Sequence, residues 1–126
     1  MNNAPNGYNT ITPYLIVPNA AGFISFMKDV FDAELLNQHM RDETIIMHAE
    51  LKVGDSLIML ADSTPEYPPM PAGLFIYVKD ADATFSLALE KGAAQILPLS
   101  DQSYGRSGGV KDAFGNTWWI TSVQGA

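Results

Sequence analysis

The sequence predicts an α+β fold in which two tandem β-α-β-β-β modules make one domain. Three observations predict it. Apolar residues alternate in short runs and recur at helical spacing in two places only, Phe23 to Phe31 and Phe85 to Leu89. Four prolines, Pro65, Pro68, Pro69 and Pro71, crowd residues 62–72 and cut the chain near its middle. The halves on either side repeat at an offset of 61 residues: Val17 meets Val78, Ala20 meets Ala81, Ser25 meets Ser86, Ala33 meets Ala94, Leu36 meets Leu97 and Gly54 meets Gly115.

Each element has a local cause. Residues 1–10, with four Asn, one Pro and one Gly, read as a flexible lead-in. Ile11 to Val17 is an apolar, β-branched run and reads as a strand. Pro18-Asn19 breaks it and offers an N-cap, and Phe23, Phe26, Met27, Val30 and Phe31 then mark an amphipathic helix to about Asp32. Glu34 to Arg41 is a weaker strand and Thr44 to Val53 a clear one; Gly54-Asp55 turns the chain into a third, Ser56 to Ala61. Past the connector the order returns. Leu74 to Val78 is a strand, Asp80 or Asp82 caps a helix through Phe85, Ala88 and Leu89, and Gly92 ends it. Gln95 to Leu99 is a strand, a glycine-rich stretch around Tyr104 to Gly109 leads into Val110-Lys111, and Phe114-Gly115-Asn116 turns into a last strand, Thr117 to Val123. The modules span about residues 10–62 and 73–124.

Composition removes several function classes. The chain has 126 residues, 47% hydrophobic and 17% charged, enough for one globular core. Its 7 Lys and Arg against 14 Asp and Glu give a net charge of -7. That is the wrong sign for displacing counterions from nucleic acid or for docking on anionic lipid, so neither partner is expected. There is no cysteine, which excludes disulfides, thiolate metal sites and a thiol nucleophile. No signal peptide and no apolar run of membrane-spanning length is found, so the expected location is the cytoplasm. Gly105, Gly108 and Gly109 precede neither a helix nor a Lys-Ser/Thr pair, so they do not read as a phosphate loop.

An ordered set of short motifs covers residues 11–123: Ile11-Thr12-Pro13-Tyr14-Leu15, Phe31-Asp32-Ala33-Glu34, His48-Ala49-Glu50-Leu51, Gly54-Asp55-Ser56, Met59-Leu60-Ala61-Asp62, Tyr77-Val78, Gly92-Ala93, Tyr104-Gly105-Arg106-Ser107-Gly108 and Asp112-Ala113-Phe114-Gly115-Asn116-Thr117-Trp118. The set resembles the vicinal oxygen chelate superfamily of glyoxalases, bleomycin-resistance proteins and dioxygenases, and within it the PhnB-like group. Two motifs depart from the group's pattern: the usual Tyr-Gly-Asp-Arg lacks its Asp at Tyr104-Gly105-Arg106, and the usual final His of Asp-Pro-Phe-Gly-His is Asn116. The resemblance implies a curled mixed sheet around a cleft with the helices outside, and a homodimer. It also implies where metal ligands sit in the family's metal enzymes. Those positions map to Thr12, Gly73 or Leu74, Ile58 or Met59, and Trp119, none of them His, Glu or Asp. No metal and no cofactor is therefore expected.

Strand alternation sorts the faces. Ile11, Leu15 and Val17, then Met47, Ala49, Leu51 and Val53, should face the first helix; Leu74, Ile76 and Val78, with Trp118 and Ile120, should face the second. That leaves Thr12, Tyr14, Ile16, His48, Glu50 and Lys52 on one open face, and Phe75, Tyr77, Thr117, Trp119 and Thr121 on the other. The expected ligand-binding set is Tyr14, His48, Glu50, Lys52, Phe75, Tyr77, Arg106 and Trp119: aromatic walls with polar anchors, suited to a small aromatic or cationic molecule. The same aromatics would also suit a filled barrel half or a dimer interface. His48 and Glu50 share a face and stand as a solvated structural pair, as an acid-base pair or as two metal ligands. The acid-base or displaced-metal alternative would make the protein a lyase, isomerase or dioxygenase-type enzyme. His39 should lie at the surface, and Asp62 should serve a turn or cap.

Overall fold

The computed structural model describes residues 3–123. Its elements run β1 (Tyr14–Val17), α1 (Ala20–Phe31), β2 (Glu34–Met40), β3 (Ile46–Val53), β4 (Ser56–Asp62), β5 (Gly73–Tyr77), α2 (Ala81–Glu90), β6 (Ala94–Gln102), β7 (Gly105–Lys111) and β8 (Thr117–Ser122). The α+β class and the twofold β-α-β-β-β order stand. The strands make two four-stranded sheets of identical design, ordered β1-β4-β3-β2 and β5-β8-β7-β6. In each sheet the module's first strand pairs parallel with its last, and the remaining pairs are antiparallel. The 61-residue offset relates Ala20 to Ala81 at the helix starts and Ser56 to Thr117 at the last strands. Two compact units result. Residues up to Lys28 with Asp32–Met70 form the first, and Asp29–Phe31 with the residues from Pro71 onward form the second.

In the first unit, Asn19 caps α1 by accepting from the Gly22 N–H at 3.0 Å. Asn19 has φ of 106°, a left-handed conformation that Asn tolerates better than most residues. The apolar stripe of α1 is buried, with Phe23 and Met27 fully enclosed, as are Leu15, Val17, Ala49, Leu51 and Leu60 on one face of the sheet. The expected strand from Ile11 starts three residues later. Pro13 has no N–H to give the ladder, only its carbonyl, which accepts from the Met59 N–H, and Ile11 is 84% exposed rather than packed. The expected start of β3 at Thr44 moves to Ile46. Asp42 captures the Thr44 and Ile45 N–H groups at 2.8 Å each in an Asx turn, which holds its carboxyl below the usual carboxylate range.

Met47 is the clearest reversal. It was placed on the buried face, but it is 56% exposed. His39 pairs with His48 while Met40 pairs with Ile46, so Met47 is the extra residue of a β-bulge. The bulge resets the alternation: Ile46 and Ala49 are buried, and His48 and Glu50 keep the open face.

In the second unit, Asp80 rather than Asp82 caps α2, accepting from the Ala83 N–H at 3.1 Å. Phe85 and Ala88 of α2 are buried, while Leu89 is 36% exposed. Trp118 and Ile120 are enclosed as expected, and the Phe31 ring lies 4.7 Å from that of Trp118. The strand expected to stop at Leu99 runs on to Gln102. Pro98 is accommodated because β6 is an edge strand and its pairing with β7 is irregular between Leu97 and Ser100. The glycine-rich stretch is itself a strand, β7, and not a loop.

Candidate functional site

On the open face of the first sheet, register sets the site. Tyr14 pairs with Met59, Met59 with Glu50, and Glu50 with Asn37, so these four side chains form one row across β1, β4, β3 and β2. His48 and His39 belong to the next row, with ring centroids 6.3 Å apart, and His39 is exposed as expected. Lys52 lies two residues beyond Glu50 on the same face, exposed and paired in register with Glu34 and Leu57.

Glu50 is 8% exposed, an unusual burial for a carboxylate on an open sheet face, and it is held by donors. His48 Nε2 lies 2.8 Å from Oε2, and Asn37 Nδ2 donates to Oε1 at 3.1 Å. The Tyr8 hydroxyl also donates to Oε1. These bonds, that of His48 first, hold the Glu50 carboxyl below the usual carboxylate range, while the phenol of Tyr8 is pushed up by the carboxylate it serves. His48 Nδ1 is 3.4 Å from the Tyr14 hydroxyl, a weak contact, and the two rings are tilted 40° with centroids 5.6 Å apart. The structure thus brings Tyr14, His48 and Glu50 together. It adds two residues that sequence reasoning missed, Tyr8 and Asn37. Tyr8 sits in the stretch read as a flexible lead-in; its lone aromatic ring among polar residues was the available signal.

A lowered carboxyl pKa stabilises the fold above the ordinary glutamate value and stops doing so as pH falls through the native value. Stability of the wild type is therefore expected to drop as the pH is taken below 4.5, the ordinary glutamate value. Glu50→Gln should flatten that part of the profile in urea unfolding across a pH series, while the Asp42 and Asp82 contributions persist. An unchanged slope would show that Glu50 is not protonated differently in the two states.

Next to Tyr14, the first unit holds a cavity of about 550 Å³. Tyr14, Ile16 and Ala61 of β1 and β4 line it, as do Ile45, Ile46 and Met47 at the start of β3. Tyr67, Thr64 and Glu66 of the proline-rich connector cover another side, and Arg41 and Asp62 supply further charge. Asp62 does serve as a cap: its oxygens accept from the Ala20 N–H at 2.6 Å and the Ile46 N–H at 2.7 Å, fixing the start of α1 to the wall of the cavity. Met70 adds a second tie, its N–H donating to the Ile16 carbonyl at 3.0 Å.

The second unit carries the other aromatics. Phe75 pairs with Trp119 and Tyr77 with Thr121. Phe75 is 49% and Tyr77 65% exposed, their rings 5.3 Å apart, and Tyr104 stands 6.1 Å from Phe75. Trp119 lies over Gly109, where a Cβ would come 2.4 Å from its ring. Two residues differ from expectation. Thr121 is fully buried, hydrogen-bonded to Ser107 at 2.7 Å, so it lines no open surface. Arg106 points to the helix side of the sheet. Its guanidinium grips Asp82 of α2 at 2.8 and 3.1 Å and Asp101 at 3.2 Å, and a Cβ on Gly108, two residues on, would meet Phe85 of α2. This pairing holds the Asp82 carboxyl below its usual range and raises the guanidinium further. Asn116, where the family's motif has His, is fully buried in the β7–β8 turn.

The residues fit no family-type metal centre. Met59 and not Ile58 shares the open face with Tyr14 and Glu50, and Leu74 pairs with buried Trp118, so the mapped positions are Thr12, just ahead of β1, and Met59, Gly73 and Trp119 on the open faces. None is a carboxylate or imidazole ligand. Among the described residues no three His, Asp or Glu side chains come together as a ligand set.

Comparison with known proteins agrees with this architecture. Residues 7–120 match the model of the Glyoxalase/Bleomycin resistance protein/Dioxygenase superfamily. An uncharacterised protein of Mycobacterium bovis is 32% identical over 120 residues, covering 86% of this chain and 79% of its own. Among solved structures, TioX from Micromonospora sp. ML1 superposes with a TM-score of 0.72 at 24% identity, over 92% of this chain and 97% of its own. A PhnB protein from Bacillus cereus gives 0.71 at 20%, over 91% and 100%. TnmS3, an antibiotic binding protein from Streptomyces sp. CB03234, gives 0.67 at 21%, over 90% and 96%. With the repeated sheets, the ordered motifs and a family match spanning most of the chain, this protein belongs to the glyoxalase, bleomycin resistance protein and dioxygenase superfamily.

Proposed function

We propose that this protein binds a small aromatic or cationic molecule in the first unit, without a metal. The cavity beside Tyr14 carries this reading: its volume of about 550 Å³ lies in the range of small-molecule pockets. Its Tyr14 and Tyr67 rings offer stacking surfaces, and Ile16, Ile45 and Met47 an apolar bed. Asp62 and Glu66 outweigh Arg41 in charge, and the whole chain carries -7, so a cation is favoured over an anion. The fold shared with TnmS3, itself an antibiotic binding protein, supports the same class of function. Thermal denaturation against a panel of neutral and cationic aromatics, acriflavine among them, tests it. A rise in melting temperature unaffected by EDTA is expected, with affinity falling about tenfold in Tyr67→Ala. No shift with any compound would end the proposal.

One observation favours an enzyme as the second reading. Glu50 aligns the His48 ring at 2.8 Å, as a carboxylate does for a general base. His48 itself does not line the cavity, however; its Nδ1 makes only the weak 3.4 Å contact with the Tyr14 hydroxyl, which does. Ligand recovered chemically intact after prolonged incubation favours binding; a converted ligand favours catalysis. We extend the proposal to a homodimer, as the family resemblance implies, and to a location in the cytoplasm. Light scattering should then give the mass of two chains.

A further inference from the structure

The contact between Tyr8 and Glu50 has more in it than a tether. Glu50 lies mid-strand on an open sheet face, where a buried carboxylate is stabilised only if donors surround it. Two of its donors, His48 and Asn37, belong to the sheet and are fixed by it. The third is a phenol from a segment outside every helix and strand, 42 residues away in sequence. Beside these groups, Asn37 Oδ1 is buried and has no hydrogen-bond partner among the described residues. An unpaired buried acceptor is uncommon in a purely structural cluster, and a site that receives a polar group from outside can hold one. The sheet thus provides a carboxylate, an amide with one open acceptor, and a place for one aromatic hydroxyl.

We infer that Glu50, with Asn37 beside it, is a subsite for the hydroxyl of a small phenol, and that the protein's own Tyr8 occupies it. An incoming phenol would donate to Glu50 Oε1 as Tyr8 does and would displace the Tyr8 hydroxyl from it. Carboxylate and phosphate ligands are disfavoured by Glu50 and by the net charge of -7. A neutral phenol meets no such repulsion, and a carboxylate neighbour keeps it protonated, as it does the Tyr8 hydroxyl. The inference rests on the Tyr8 contact and not on the neighbouring cavity, whose lining contains neither Tyr8 nor Glu50.

The test uses the full chain and p-cresol, the side chain of tyrosine as a free molecule, with toluene as the hydroxyl-free control. In Tyr8→Ala, p-cresol should raise the melting temperature and bind at least about tenfold more tightly than to the wild type, with toluene inactive. Adding Glu50→Gln should remove that gain, and adding Tyr67→Ala, a cavity change, should leave it. Should Tyr8→Ala fail to fold, Tyr8→Phe keeps the ring and removes only the competing hydroxyl. There p-cresol should still bind more tightly than to the wild type, read from the Asn37 side-chain amide by NMR titration. Equal p-cresol affinity in wild type and Tyr8 variants, or a gain that survives Glu50→Gln, would overturn the inference. A gain lost in Tyr67→Ala and indifferent to Glu50→Gln would place p-cresol in the cavity, which refutes the subsite while leaving the binding function standing.

Discussion

Asp112→Ala is expected to lower the unfolding free energy by about 3–5 kcal/mol, the largest loss for any single polar side chain in this protein. Asp112 is 4% exposed at the head of the turn between β7 and β8. Its carboxyl accepts four hydrogen bonds: from the Phe114 and Asn116 N–H groups at 2.9 Å each, from Asn116 Nδ2 at 3.2 Å and from Trp118 Nε1 at 2.8 Å. Truncation leaves these donors without an acceptor, and the Trp118 indole N–H, enclosed in the core, cannot turn to water. The damage spreads through Asn116, whose Oδ1 accepts from the Ala72 N–H at 3.0 Å and so fixes the end of the connector. A domain of this size has about 5–15 kcal/mol in all, so the variant should melt about 10 °C or more below the wild type. Trp118→Phe should recover part of the loss in the Asp112→Ala background, because it removes the most deeply buried orphan donor. Full additivity in that double-mutant cycle would contradict the network.

This turn also explains a departure in the sequence motif. Asn116 stands where the motif of the resembling group ends in His. Asn116 is sealed, donating to Asp112 and accepting from Ala72. The substitution therefore leaves the open face of the sheet unaltered.

What the sequence made legible was local or periodic. Pro18-Asn19 announces α1, Asp80 announces α2, and the 61-residue offset sets both helix starts, because capping and periodicity act within a few residues. What it concealed was set by pairing across distance. Met47 has the right chemistry for a buried position, and only the slip in register against β2 turns it outward. Tyr8 reaches Glu50 from the other side of α1 and two strands, a contact no local pattern encodes. Arg106 lies beside glycines that carry no inward or outward preference, so alternation could not say which face it takes. The expected placement on the open face accordingly matches the register for Tyr14, His48 and Glu50, which lie on well-patterned strands. It gave Arg106 a place on the open surface that the Asp82 pair denies it.

Gly105→Ala is expected to cost about 3–4 kcal/mol, for two separable reasons. Gly105 opens β7 with φ of 141°, a backbone conformation that a residue with a Cβ adopts only under strain. The added Cβ would also lie 2.4 Å from the Ser122 carbonyl oxygen. That oxygen cannot give way cheaply: Arg106 pairs with Ser122 in the β7–β8 ladder, so moving it disturbs the end of that ladder, where the turn at Tyr104 enters. Gly92 separates the two causes. Its φ is 106°, yet a Cβ there meets nothing within 4 Å. Gly92→Ala should therefore lose only the strain, about 1–2 kcal/mol. The excess loss in Gly105→Ala over Gly92→Ala in urea unfolding reports chiefly the crowding against Ser122 and Thr121. Equal losses would mean that the end of the β7–β8 ladder relaxes to admit the methyl group, and that Gly105 is required for its dihedral angle and not for close approach. In either outcome the glycines of Tyr104 to Gly109 are closed in by protein atoms: Gly105 by the Ser122 carbonyl, Gly108 by Phe85, Gly109 by the Trp119 ring. A phosphate loop would need its glycines open to a ligand, and all three of these are closed by the protein itself.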